Sequence, residues 1–331
     1  MGDDLILVTG AGGFIGGHLV AELRTAGHRV RAVDVKPFEE WYQVFPDVDS
    51  RQLDLRRREA CAEAAAGAKE IYNLACDMGG MGFIETHKAE CMLSVLINTH
   101  MLMAANDAKC ERFFYSSSAC VYAADKQTKP DLDPLREGDA YPATPEDGYG
   151  WEKLFSERMC RHFREDFGLA TRVARYHNVY GPHGTYDGGR EKAPAAICRK
   201  IIAAQLAGAN EIEVWGDGEQ SRSFTYIDDC LFGTRAIMSS DILEPINLGS
   251  DELVTINQLI DIVEDIAGVT FKRRYKLDAP KGVRGRCSEN TLIKEKLGWA
   301  PSISLRDGME KTYRWIHDEM VAPAANRRRY A

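Results

Sequence analysis

The chain predicts an α/β fold, a doubly wound parallel sheet with a smaller C-terminal lobe, and three observations lead there. Short apolar runs alternate with helical patterns as far as Tyr180. A glycine-rich loop joins the first run to the first helix. Past Tyr180 the alternation stops, broken by Gly181-Pro182-His183-Gly184 and Gly188-Gly189.

Leu5-Ile6-Leu7-Val8 is apolar enough for a strand buried on both faces. A helix follows, with Ile15, Leu19, Val20 and Leu23 on one face and Gly27 as its stop. Val30 to Val35 reads as the second strand. Further strands are expected at Glu70–Ala75, Phe113–Ser116 and Thr171–Tyr176, with helices at Lys88–Asp107 and Tyr149–Phe167 between them. Parallel strands joined by helices imply right-handed crossovers. In the second half a helix is expected from Ala193 to about Ala207. Ile212–Trp215, the turn Gly216-Asp217-Gly218 and Ser223–Tyr226 read as a hairpin. Pro245–Leu248 reads as a strand returning to the main sheet, and helices close the chain at Thr255–Ala267 and Leu305–Met320. The expected division is 1–176 as the dinucleotide-binding part, with 227–249 returning to it, and 177–226 plus 250–331 as the substrate lobe. Arg327-Arg328-Arg329 is expected to be a solvated end.

Apolar residues make up 44% and charged residues 28%, which gives a core and excludes a disordered chain. No run approaches eighteen apolar residues, so no membrane-spanning helix is expected. The net charge of −8 argues against nucleic acid as the main partner, since phosphate contacts need a basic face. No basic, apolar leader precedes the first strand, so a cytoplasmic protein is expected. The nine cysteines include no CxxC and the eight histidines no HExxH. Reduced, mostly buried thiols and no metal site are therefore expected.

Thr9 leads into Gly10-xx-Gly13-xx-Gly16, with Phe14 and Ile15 opening the helix. In a strand–loop–helix context these glycines allow a tight turn and a close backbone approach to a pyrophosphate. The helix N-terminus adds N–H donors and the positive end of its dipole. Asp34, eighteen residues beyond Gly16, can accept from the adenosine ribose hydroxyls and would repel a 2′-phosphate. NAD is thus favoured over NADP, with Arg31 and Lys36 as nearby cations that weigh the other way. Asp54, in Gln52-Leu53-Asp54-Leu55, is either a contact for the adenine amino group or a solvated loop carboxylate.

Tyr149 and Lys153 stand four residues apart on a helix, one turn from each other on one face. A phenol with an ordinary pKa of about 10 must come down by about 3, or roughly 4 kcal/mol, to act as a base near neutrality. A nearby ammonium and a nicotinamide cation in a partly dry site are the expected sources. Ser116-Ser117-Ser118-Ala119-Cys120 ends a strand at the edge where parallel sheets place ligands, so the Ser118 hydroxyl can meet a substrate alcohol.

These residues together resemble the extended short-chain dehydrogenase/reductase family, over nearly the whole chain. That resemblance implies a Rossmann domain holding NAD, a nucleotide-sugar in the smaller lobe, and Tyr149, Lys153 and Ser118 oxidising a sugar carbinol. Five blocks are more specific: Met78–Ile84, Ser117–Tyr122, Gly188–Pro194, Trp215–Gly218 and Gly282–Arg286. In this order they resemble the GDP-mannose 3,5-epimerase family. The resemblance implies that Cys120 and Lys192 form an acid–base pair. It also implies a homodimer, and the products GDP-L-galactose and, from C5 alone, GDP-L-gulose, which feed ascorbate and cell-wall sugar synthesis. Cys76 stands where an alanine is expected, and Trp151 where an aliphatic residue is expected.

The chemistry suits these residue types. Oxidising C4 to a ketone makes the C3 and C5 protons acidic, and a base and an acid on opposite faces then invert the centre. Ordinary pKa values near 8.5 for a thiol and 10.4 for an amine can both be tuned toward neutrality. Gly79, Ala119 and Ala193 fall in the same blocks as expected substrate contacts. Lys200, Arg222 and Arg286 are expected at the diphosphate or ribose, with Gln220 beside Arg222 and Asn178 at the lobe junction. For each of these a solvated or capping role competes, and His177 and His183 are read as structural. Two other functions stay in view. A nucleotide-sugar 4-epimerase or decarboxylase would need Tyr149, Lys153 and Ser118 but not Cys120 and Lys192. An NAD-sensing module without turnover is disfavoured by the intact tyrosine–lysine pair.

Overall fold

The computed structural model describes residues 4–280 and 282–322, so the Arg327-Arg328-Arg329 tail lies outside the described residues. The chain begins β1 (Leu5–Thr9), α1 (Phe14–Thr25), β2 (Arg29–Asp34), β3 (Asp49–Gln52), α2 (Arg58–Ala65) and β4 (Ala68–Asn73). It continues through α3 (Met81–Thr86), α4 (Lys88–Met92), α5 (Ser94–Asp107), β5 (Arg112–Ser118), α6 (Tyr149–Phe167) and β6 (Ala170–Tyr176). Next come β7 (Val179–Tyr180), α7 (Ala193–Leu206), β8 (Glu211–Trp215), β9 (Ser221–Ser223), β10 (Thr225–Tyr226) and α8 (Ile227–Ser239). The last elements are β11 (Ile246–Leu248), β12 (Leu253–Thr255), α9 (Ile256–Ala267), β13 (Lys272–Lys276), β14 (Gly285–Arg286), α10 (Thr291–Leu297) and α11 (Leu305–Val321).

Seven strands form one parallel sheet in the order β3-β2-β1-β4-β5-β6-β11. Side chains alternate across it, as a strand's period of two requires. Leu7, Val33, Ile71 and Phe113 pack with Met101 and Leu102 of α5 and Cys160 of α6. Ile6, Val8, Ala32 and Phe114 pack on the other side with Leu19, Val20 and Leu23 of α1. That second cluster runs on without a break to Leu259 of α9 and Met309 of α11, so the C-terminal lobe shares its core with the sheet. Strand order reverses between β1 and β4, and there Thr9 Oγ1 donates to Asn73 Oδ1 (2.8 Å) and accepts from Leu74 N (3.1 Å) and Ala75 N (3.2 Å). Such a reversal opens a crevice at the carboxyl ends of the strands, where α/β sheets bind their ligands.

A buried ion pair ties α6 to β6 behind that crevice. Arg175 Nε and Nη2 donate to the two carboxylate oxygens of Glu157 at 2.8 and 2.7 Å, and both side chains are almost wholly buried. Ser117 Oγ donates to the same carboxylate at 2.6 Å. Removing one partner of such a pair leaves an uncompensated buried charge. Glu157→Ala is therefore expected to cost about 3–5 kcal/mol of stability. Urea unfolding measures this, and a loss under about 1 kcal/mol would show that the pair is not holding the helix.

Two expectations fail. Ile212–Trp215 and Ser223–Tyr226 do not form a hairpin. Instead β8 pairs in parallel with β13, and β9 lies antiparallel to β12 and parallel to β14, while β10 pairs with β7. The turn between them is held by distant partners: Gly216 N donates to Lys276 O (2.9 Å), and Arg284 Nη1 donates to both oxygens of Asp217 (3.0 Å each). The chain therefore crosses between two small sheets there. The helix expected over Lys88–Asp107 is two helices meeting at Leu93, whose N–H is shared between Ala89 O (3.0 Å) and Glu90 O (3.2 Å). Shared bonds of this kind mark a tightened terminal turn. The remaining expected elements differ only in their end residues.

Among the described residues no helix is long and apolar enough to cross a membrane.

Candidate active site

The cofactor loop is shaped by close approach. Gly10 has φ of +68°, a left-handed conformation that favours glycine, and a Cβ at Gly16 would collide with Gly10 O. Gly13 begins α1 without a side-chain cap, so the first-turn N–H groups of Phe14 and Ile15 face the crevice unassisted by any side chain. Asp34, at the end of β2, accepts from Gly12 N through Oδ2 and from Lys36 N through Oδ1, both at 3.0 Å. Burial pushes its carboxyl up, with those N–H groups pulling the other way. This cradle fits a dinucleotide: glycine backbone for the pyrophosphate and a fixed carboxylate for the ribose. Asp54 follows β3 and is ion-paired to Arg56. Its two oxygens accept from Arg56 Nε and Nη2 at 2.9 Å each, and Arg56 holds it below the usual carboxylate range.

Tyr149 opens α6 and Lys153 follows one turn later, both buried. Lys153 Nζ donates to Ser116 O (3.0 Å), stands over the Tyr115 and Tyr149 rings at 4.9 and 5.4 Å, and lies 3.8 Å from Glu152. In the chain alone the phenol is not lowered. Burial pushes Tyr149 well up, nearby Cys76, Cys120 and Glu152 add to this, and Ser118 opposes it. The ammonium lies over the ring face instead of at the hydroxyl, so a further positive charge at the ring is needed to bring the phenol down.

Ser118 ends β5, where its Oγ accepts from Cys120 N (3.2 Å) and caps the short 3₁₀ turn Ala119–Val121 that buries Cys120 and Ala119. Gly79 and Gly80 carry the opposite wall. Gly80 N donates to Arg190 O (2.9 Å), and a Cβ on Gly80 would strike Glu191 O. This contact seats Lys192, half-buried at the N-cap of α7, with Ala193 opening that helix. Burial lowers the Lys192 ammonium, and Cys120 and then Cys76 oppose this most. Cys76 also touches the field of Tyr149 and Lys153, and burial pushes its thiol up.

The structure thus brings Tyr149, Lys153, Ser118, Cys120 and Lys192 to one crevice. The expected phosphate ligands are more dispersed. Arg222 is buried, with Nη1 on Ser221 O (2.7 Å) and Nη2 on Val283 O (2.6 Å), and burial beside Arg286 brings its pKa down to about 10. Gln220 Nε2 donates to Trp215 O (3.0 Å), and its Oε1 is buried without a partner among the described residues. Lys200 Nζ donates to Glu213 O (3.0 Å) and lies over the Trp215 ring at 5.5 Å. Asn178, at φ +41°, donates to Ser223 O at the lobe junction. Arg286 turns inward: Nε donates to Gln127 Oε1 (2.7 Å), Nη2 to Glu146 Oε1 (2.7 Å), and Nη1 approaches Cys120 Sγ at 3.4 Å. Glu146 and Gln127 went unremarked in the sequence, since one lies in a loop and the other in the short 3₁₀ turn Ala124–Gln127, with no periodicity to expose them. His177 is buried against Asn247 Oδ1 (2.9 Å), and burial drives its pKa down to about 3.

A glycine cradle at the topological switch point, with a tyrosine–lysine pair beside it, defines an NAD-dependent enzyme acting on an alcohol. The chain belongs to the NAD dependent epimerase/dehydratase family, whose model matches residues 6–249. It is 46% identical to GDP-mannose 3,5-epimerase 1 of Oryza sativa subsp. japonica over 320 residues, covering 95% of this chain and 82% of that protein. It is 45% identical to GDP-mannose 3,5-epimerase of Arabidopsis thaliana over the same share of each. Among solved structures, UDP-glucose 4-epimerase of Thermotoga maritima superposes with a TM-score of 0.86 at 25% identity, covering 96% of this chain and 99% of that one.

Proposed function

We propose that this isomerase inverts C3 and C5 of GDP-mannose to give GDP-L-galactose, with GDP-L-gulose as the product of inversion at C5 alone. The observation that carries the reading is the placement of Lys192 beside Cys120 in the crevice that also holds Tyr149 and Lys153. Bound along the α1 N-terminus, with Asp34 at its ribose, NAD supplies the hydride acceptor and donor. Tyr149 takes the C4 hydroxyl proton, and Ser118 holds that oxygen. Lys153, fixed by the Ser116 carbonyl, keeps a positive charge over the ring as the phenolate forms. Cys120 and Lys192 then remove and replace the proton next to the C4 carbonyl. Arg222 and Lys200 serve the diphosphate, and Gln220 and Asn178 the nucleotide end. With GDP-mannose in heavy water, the expected products are GDP-L-galactose and GDP-L-gulose carrying deuterium at the inverted carbons. Inversion at C4 without that label would make the protein a 4-epimerase and overturn the reading.

The homodimer belongs to the same proposal. Met92, Leu93 and Leu96 at the α4–α5 junction and Trp151 and Phe155 on α6 are exposed large apolar side chains on helices that pack together. A surface of that kind is costly to leave in water. Trp151→Glu combined with Phe155→Glu is expected to convert a dimer to a monomer in light scattering. A wild-type monomer at micromolar concentration would contradict the proposal. A reducing, cytoplasmic setting is also proposed, supported by nine cysteines that are all free thiols.

A further inference from the structure

Cys120 shares its surroundings with a carboxylate that the acid–base scheme leaves unused. Glu146 lies three residues before α6, and its backbone N–H donates to Cys120 O (3.1 Å). Its side chain is only 11% exposed, and Oε1 accepts from Arg286 Nη2 at 2.7 Å. The same guanidinium approaches Cys120 Sγ at 3.4 Å and is pinned from behind by Gln127 Oε1 at 2.7 Å. Glu146 Oε2 is buried without a hydrogen-bond partner among the described residues. A buried acceptor left unmade costs about 1–3 kcal/mol, more when charged, so an unpaired carboxylate oxygen beside a thiol is an invitation to that S–H.

We propose that Glu146 is a positioning residue for Cys120: its carboxylate keeps the resting side chain in the S–H form and, through Arg286, fixes where that proton points. The proposal rests on the reading of Cys120 as an acid–base group, but its test needs no turnover. The charged and titratable groups facing the thiol are Glu146, Arg286, Arg222, Lys192, Lys153 and Tyr149. Glu146 is the one carboxylate among these six groups. Burial and then Glu146 push the thiol up to about 11, with Arg286 opposing. Burial pushes Glu146 itself up, but Arg286 and the thiol outweigh this and hold it below the usual carboxylate range. A carboxylate held that low is too weak a base to take the thiol's proton; it acts by charge and by accepting a hydrogen bond.

The test is the pH dependence of Cys120 alkylation by iodoacetamide, followed on the Cys120 peptide by mass spectrometry, because the thiolate is the reacting form. Wild-type protein should titrate above the ordinary thiol value of about 8.5. Removing the negative charge favours the thiolate, so Glu146→Gln should raise the alkylation rate at pH 8 about tenfold, a fall of about one in pKa. Glu146→Asp keeps the charge and should stay near wild type. In turnover, the pH limb that reports Cys120 should move to lower pH in Glu146→Gln, whereas a merely structural role would lower kcat without moving it. A wild-type midpoint at or below the ordinary value overturns the proposal, even if the variants fail to fold. An unchanged midpoint in folded Glu146→Gln overturns it as well. Inert GDP-mannose with a raised, Glu146-dependent midpoint would sink the epimerase reading alone.

Discussion

Cys120→Ala is expected to lower epimerisation by about a thousandfold or more while oxidation at C4 survives. General acid–base groups contribute about 10²–10⁴-fold. Cys120 is proposed as one of two such groups at each stereocentre, so its loss falls on both inversions. No hydrogen bond that places the groups serving C4 uses the thiol: Tyr149 and Lys153 are fixed by α6 and by the Ser116 carbonyl, and Ser118 by β5. The small, buried change at residue 120 should leave the fold intact, because alanine fills a site already lined by Phe83, Ile84 and Tyr149. Mixing the variant with GDP-mannose should therefore show reduced nicotinamide fluorescence but no solvent deuterium at C3 or C5. Label entering those carbons at the wild-type rate would remove Cys120 from the mechanism. The companion Lys192→Met should behave alike, since each inversion needs both partners.

Tyr149→Phe is expected to stop the cycle earlier, with loss of about 10²–10⁴-fold in both oxidation and epimerisation. The ring remains to pack against Cys76 and Cys120, so NAD affinity and thermal stability should be close to wild type. Burial holds the phenol well above its ordinary pKa in the chain alone, and its deprotonated form gains population as pH rises. Oxidation at C4 should accordingly speed up with pH above neutrality in wild type and show no such rise in Tyr149→Phe. A wild-type rise that persists unchanged in Tyr149→Phe would show that another group takes the hydroxyl proton.

The parts of the site that were legible in the sequence are those carried by short, contiguous patterns. Gly10, Gly13 and Gly16 sit in one loop, and Tyr149 and Lys153 on one helical turn, so local geometry alone places them. The resemblance added Cys120 and Lys192, which lie on elements that local pattern cannot bring together. What escaped were contacts between distant segments. Arg286 meets Glu146 across 140 positions and Cys120 across 166, and only the fold makes them neighbours. The false hairpin has the same origin: a turn with two glycines reads as a reversal unless Arg284 and Lys276, supplied from more than fifty residues on, are seen to hold it open. Spacing puts Lys153 on the face of Tyr149 but does not say whether its ammonium reaches the hydroxyl or the ring, and it lies over the ring.

In the proposed cycle a hydride leaves C4 and comes back to it while the neighbouring carbons exchange protons. GDP-mannose carrying deuterium only at C4, turned over in ordinary water, tests this most directly. The expected product is GDP-L-galactose with that deuterium still at C4 and no net gain of reduced nicotinamide. Deuterium washed out of C4 into water, or a product formed without any kinetic isotope effect on C4 oxidation in single turnover, would contradict it.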